Sequence, residues 1–198
     1  MADDDPPALD AQDEQTIALI ERRGWQAHDL LPATADPTWR PDKTNIDASD
    51  QKLLGDVRDF GWHHLHIHPD AGLRWSFSVG LFETWGHPEV VVFGLDMETA
   101  QGVLSVAADI AKAGQQAADG THAGDFIEAY EVCFLRVRPH WYGSFLGYAQ
   151  WYNGTAGGFP VLQLVWPDAS GRFPWEAGCT LSPGTQLLLG APPDTGVD

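Results

Sequence analysis

The stretch from Trp62 to Gly94 constrains the fold most, because it carries three strand-like runs in succession with no helix between them. Residues 62–68, 74–81 and 89–94 are rich in Trp, Phe, Val and Ile and are separated by turns bearing Pro and Gly. Strands that follow one another directly pair antiparallel or in a mixed sheet, since a parallel pair needs a long crossover. Asp96 is placed to cap a long helix with apolar positions at Met97, Ala100, Val103, Leu104, Ala107, Ile110 and Ala111, stopped by Gly114. Leu53, Leu54, Val57 and Phe60 predict an earlier helix, and residues 144–152 a later one with an aromatic face. Further strands are expected at 128–138 and 161–166, and a loop at 115–124. The fold class is therefore α+β, with a mixed, mainly antiparallel sheet and two or three flanking helices.

The flanks differ in character. Residues 1–48 read as an acidic, Pro-bearing arm with a short helix near Ile17–Arg23, residues 49–182 as one α+β domain, and residues 183–198 as a tail in which 186–189 can add a short edge strand. A length of 198 residues suits a single domain.

Charge narrows the function. The chain has 28 acidic against 11 basic residues, a net charge of −17, which argues against nucleic acid as a ligand because phosphate binding needs clustered Lys and Arg. No apolar run reaches the length of a membrane span, and Met1-Ala2-Asp3-Asp4-Asp5 lacks the basic and apolar regions of a signal peptide, so a cytoplasmic protein is expected. Two cysteines, Cys133 and Cys179, make no disulfide framework.

Several residues have the chemistry of a site. His64, His66 and His68 alternate along one strand, so their rings share a face, and a metal there would need His87, Glu89 or Asp70 as well. Without such convergence they form a polar strand face, and that is the expectation. His87 and Glu89 enter the third strand together, where His87 can act as general acid or base with Glu89 orienting it, or both can satisfy local backbone groups. Gln163 interrupts an apolar strand on its inward face and needs a partner, either a neighbouring strand or a ligand. Trp166, Asp168 and Trp175 flank a turn at Gly171, as pocket walls or as an aromatic corner. Arg136 and Arg138 lie two apart on one strand and can hold a phosphate together.

Trp75-Ser76-Phe77-Ser78-Val79-Gly80-Leu81, His87-Pro88-Glu89, Phe93-Gly94-Leu95, Leu162-Gln163-Leu164-Val165-Trp166-Pro167-Asp168 and Gly171-Arg172-Phe173-Pro174-Trp175-Glu176 occur in that order. With these motifs, residues 55–178 resemble the bacterial family known as domain of unknown function 4262. That family carries no assigned activity, so the resemblance transfers no catalytic residue. In element order the chain is also similar to flavin-binding split barrels, a likeness that makes Ser76 and Ser78 candidate ligand contacts. Fold analogy does not establish function.

Two functions are consistent with these features. One is a small-molecule-binding domain with an aromatic pocket, flavin-linked in its sharpest form, with no cofactor identified. The other is an acidic immunity or accessory factor that docks on a basic protein without catalysis.

Overall fold

The strand-forming runs pair as their order dictates. β1 (His63–Ile67), β2 (Trp75–Val79) and β3 (Glu89–Phe93) form an antiparallel meander. β4 (His122–Ile127), β5 (Tyr130–Arg136) and β6 (Val161–Val165) form a second. The two join through β3 and β6, which run parallel, giving one six-stranded sheet in the order β1-β2-β3-β6-β5-β4. The structure, a computed structural model, describes residues 9–22, 46–69, 72–154 and 158–193. The acidic first residues, residues 23–45 with Pro32, Pro37 and Pro41, Asp70, Ala71, residues 155–157 and the last five residues lie outside that set.

Local sequence explains the helices. α1 is Ala11–Arg22 and α2 is Ala48–Phe60. In α2 the Asp47 carboxylate accepts from the Ser49 and Asp50 N–H groups, and Asp50 reaches back to the Asp47 N–H in a capping box. Gly61, at φ 88°, ends the helix in the left-handed region. α3 (Leu81–Trp85) is a short turn between β2 and β3, and α4 (Met97–Lys112) is capped by Asp96 as the sequence predicts. α5 (Tyr142–Phe145) and α6 (Gly147–Asn153) divide the expected aromatic helix in two. Among the described residues no helix is long and apolar enough to cross a membrane.

The central strands β2, β3 and β6 are buried on both faces. On one, Ala100, Val103, Leu104 and Ala107 of α4 pack on Val90, Val92, Leu162, Leu164 and Phe134, the alanines letting the helix approach closely. On the other, Trp75, Phe77, Val91, Phe93 and Val161 lie under Ile20 of α1, Leu53 and Val57 of α2, the α5–α6 aromatics, and Leu187 and Leu189. The Trp75 indole donates to the Phe145 carbonyl at 2.8 Å, so a buried polar atom is satisfied inside this cluster.

Two further features depart from expectation. β4 occupies part of the stretch read as a loop. It is an edge strand whose only buried residue is Phe126, so it carries no alternating apolar signal. The C-terminal segment is no loose tail at 186–190, where every residue is buried. Gly190 sits so close to β5 that a Cβ there would lie 2.3 Å from the Arg136 carbonyl oxygen.

Candidate functional site

At the entry to β3, Glu89 is fully buried. Its Oε2 accepts from the Ser78 hydroxyl at 2.6 Å, and its Oε1 accepts from the Gly80 N–H at 2.7 Å and from the Phe82 N–H and Asn153 amide at 3.3 Å. The carboxyl thus caps the start of α3 and ties it to α6. Burial pushes its pKa up, and the four bonds oppose that shift. His87 is buried two residues away, but its Nδ1 contacts the Pro88 carbonyl at 2.6 Å and its Nε2 accepts from the Ala117 N–H at 3.2 Å. A carbonyl only accepts and an amide N–H only donates, so the ring is neutral with its proton on Nδ1. Burial also lowers the His87 pKa. No hydrogen bond joins His87 to Glu89 among the described residues; both are bonded to structural partners.

The histidine strand is β1, at the edge of the sheet. His64 and His66 pair with Ser78 and Ser76 of β2 and share their face, and His66 Nδ1 lies 2.6 Å from the Ser76 hydroxyl. Burial lowers the pKa of both histidines. His68 is exposed, beyond the strand end. Among the described residues no three His, Cys, Asp or Glu side chains gather as a metal-binding group. Ser76 and Ser78 are themselves buried, and Ser78 also accepts from the Val90 N–H at 2.8 Å.

The candidates around β6 are tied to the C-terminal segment. Gln163 donates to the Leu187 carbonyl at 2.5 Å and accepts from the Leu189 N–H at 2.8 Å, acting as a side-chain rung between sheet and segment. Trp166 donates its indole N–H to the Phe93 carbonyl at 2.9 Å, and its backbone exchanges two bonds with the Gln186 amide. Asp168 accepts from the Thr180 N–H and hydroxyl and from the Ser170 and Arg172 N–H groups, which hold its carboxyl well below the usual carboxylate range. Trp175 stacks on Phe173 with ring centroids 4.9 Å apart and planes 3° from parallel. Phe173 and Trp175 pack against Cys133, Leu135 and Val165, whereas Trp166 packs with the cluster under α4. Arg138 is bound by the carboxylates of Asp10 and Asp13, leaving exposed Arg136 without it as the second half of a phosphate cradle.

The backbone creates a different opening. β3 and β6 are adjacent and parallel, so their carboxyl ends lie together. From β3 the chain turns to α4 on one face, and from β6 it runs toward Phe173 and Leu187–Leu189 on the other. Where neighbouring parallel strands send their connections to opposite faces, a crevice opens beyond their ends. A cleft of about 350 Å³ lies beside the carboxyl end of β3, lined by Gly72, Arg74, Gly94, Asp96 and Thr185. Gly94, at φ 81°, lets the wall close up, since a Cβ there would lie 2.5 Å from the Thr185 carbonyl oxygen. Arg74 is half-buried, and its guanidinium has no hydrogen-bond or carboxylate partner among the described residues. Its charge reaches His66, where it adds to the lowering of that pKa by burial and by His68.

The family model described as domain of unknown function (DUF4262) matches residues 56–180. The chain belongs to the DUF4262 family. No curated protein and no solved structure matches it. The stretch matched by DUF4262 includes Arg74, Gly94 and Asp96, whereas Thr185 and the segment that Gln163 binds lie beyond it. Sequence reasoning missed this cleft in the DUF4262 chain. Its residues are few, scattered over more than 110 positions, and dominated by glycines and a helix cap with an evident structural role. The available signal was Arg74, one of only 11 basic residues, placed at the mouth of a strand.

Proposed function

We propose that the chain is a binding domain for a small polar molecule seated in the cleft beside the carboxyl end of β3. The carrying observation is Arg74, a half-buried cation without a bonded partner among the described residues, in a chain with a net charge of −17. With no carboxylate holding it among the described residues, its guanidinium fork is open to an anionic group of a ligand. The cleft volume of about 350 Å³ falls at the small end of the ligand-site range. No reaction is assigned, because His87 and Glu89 are buried and bonded internally. The compartment proposed is the bacterial cytoplasm, in keeping with the free thiols Cys133 and Cys179. A fragment screen followed by nuclear magnetic resonance should show binders that perturb Arg74, Gly94 and Thr185 and that Arg74→Ala weakens. A screen in which no fragment perturbs these residues refutes the proposal. In its flavin form the phosphate would meet Arg74; a colourless protein that leaves the fluorescence of added flavin mononucleotide unchanged removes that form.

A second reading is an acidic interaction factor for a basic protein. It draws on the net charge and on β4, an edge strand whose hairpin exposes Asp125, Glu128 and Glu131. Edge strands offer unpaired backbone groups to a partner, but charges on an edge also discourage pairing. Co-purification from the native host at low and high salt separates the two, since a partner held by charge is retained only at low salt.

A further inference from the structure

We propose that the cleft takes a zwitterion of the amino-carboxylate class, its carboxylate at Arg74 and its ammonium at Asp96; this rests on the small-molecule reading above. The cleft is lined by one cation and one anion, and no ion pair joins them among the described residues. Each group is therefore available to a ligand atom of opposite charge. The guanidinium presents a planar fork that matches a carboxylate with two parallel bonds.

Asp96 is exposed, and its two oxygens accept from the Thr99 N–H at 3.0 Å and the Thr99 hydroxyl at 2.9 Å. An ionised carboxylate has about four acceptor sites, so the capping bonds leave room for an ammonium. The Thr99 bonds also hold the Asp96 carboxyl below its ordinary pKa, so it carries its charge at neutral pH.

Charge balance then selects among ligand types. A bare anion at Arg74 meets Asp96 in the same cleft and the field of a chain with net charge −17. A bare cation at Asp96 meets Arg74. A molecule that is neutral overall with separated charges satisfies both groups, and the long-range field neither repels nor draws it. The remaining lining, from Gly72, Gly94 and Thr185, is small and polar, which suits a compact ligand.

The test is calorimetric titration of the full chain with glycine, β-alanine, γ-aminobutyrate, L-leucine and L-glutamine, beside butyrate and butylamine. At least one zwitterion is expected to bind tenfold or more tightly than either singly charged analogue. Arg74→Gln and Asp96→Asn should each weaken that zwitterion at least tenfold. Asn remains a good N-cap, so the second variant should keep its thermal midpoint and report charge rather than loss of α4. If butyrate binds as tightly as γ-aminobutyrate and Asp96→Asn changes nothing, the zwitterion assignment fails while the small-molecule reading stands. If no compound of the series binds and the fragment screen is also empty, both are overturned.

Discussion

At Glu89, burial and hydrogen bonding pull the carboxyl in opposite directions, and burial wins. A carboxyl whose folded pKa lies above its unfolded value binds protons more readily in the fold. Its contribution to stability is fully present below about pH 4.5 and is lost as pH rises through the raised folded value. Asp168 has the opposite sign, because its bonds from Thr180, Arg172 and Ser170 depress its pKa. That contribution is present above the ordinary aspartate pKa and disappears as pH falls. Glu89→Gln keeps the shape, with the amide oxygen accepting from Gly80 and Phe82 and the amide nitrogen donating to Ser78. The variant should stay folded and lose the decline in stability above pH 4.5 that the wild type shows. Urea unfolding at half-unit pH intervals checks this, and parallel slopes for both proteins would contradict it.

Among the elements, α1 shows how an apparent arm becomes part of the domain. Asp13 is buried, and its Oδ1 meets Arg138 at 2.8 Å, the Trp141 indole at 3.0 Å and His140 at 3.1 Å. Burial raises the Asp13 pKa, but the Asp10 N–H, Arg138 and His140 together bring it below its ordinary value. Removing one member of such a set strands the other, at about 3 kcal/mol for a largely buried pair. Asp13→Ala should therefore lower the urea midpoint with that magnitude and expose Ile20 to solvent; hydrogen exchange in 11–22 no faster than wild type would rule this out. The sequence displayed α4 and β3 plainly, because each has its own period and cap or turn. It showed α1 only as a short helix of no stated role, because Asp13 and Thr16, whose hydroxyl donates to the Leu188 carbonyl, lie 125 to 172 positions from these partners. β4 was illegible since its one buried side chain, Phe126, cannot make an alternation. For the site, residue type marked Gln163 as an inward amide in need of a partner, and left His87 and Glu89 open between acid–base chemistry and bonds to local backbone groups. It could not say that Gln163 bonds the segment at Leu187 and Leu189, 24 and 26 positions on, and it passed over Arg74 because an arginine beside a strand has no pattern.

The molecule as a whole is closed by its last described residues. Leu187 and Leu189 are fully buried, and burying a leucine stabilises a fold by roughly 1.5–3 kcal/mol. Losing both, and leaving the Gln163 amide unpaired at a further cost of roughly 1–3 kcal/mol, approaches the 5–15 kcal/mol that holds a typical domain together. A chain ending at Gly184 should show no cooperative thermal transition and should bind a dye for exposed apolar surface; a sharp transition near the wild-type midpoint would disprove it.

The rung between Gln163 and Leu189 also sets a schedule for synthesis. β6 adjoins β3 at the centre of the sheet, yet its inward amide must wait 26 further residues for its partner. At about 5–20 residues per second that is roughly 1–5 s on the ribosome with the middle of the sheet assembled around an unsatisfied polar group. The nascent chain therefore cannot settle early, and translation halted anywhere in that interval leaves a product open to proteases rather than a slightly shortened domain.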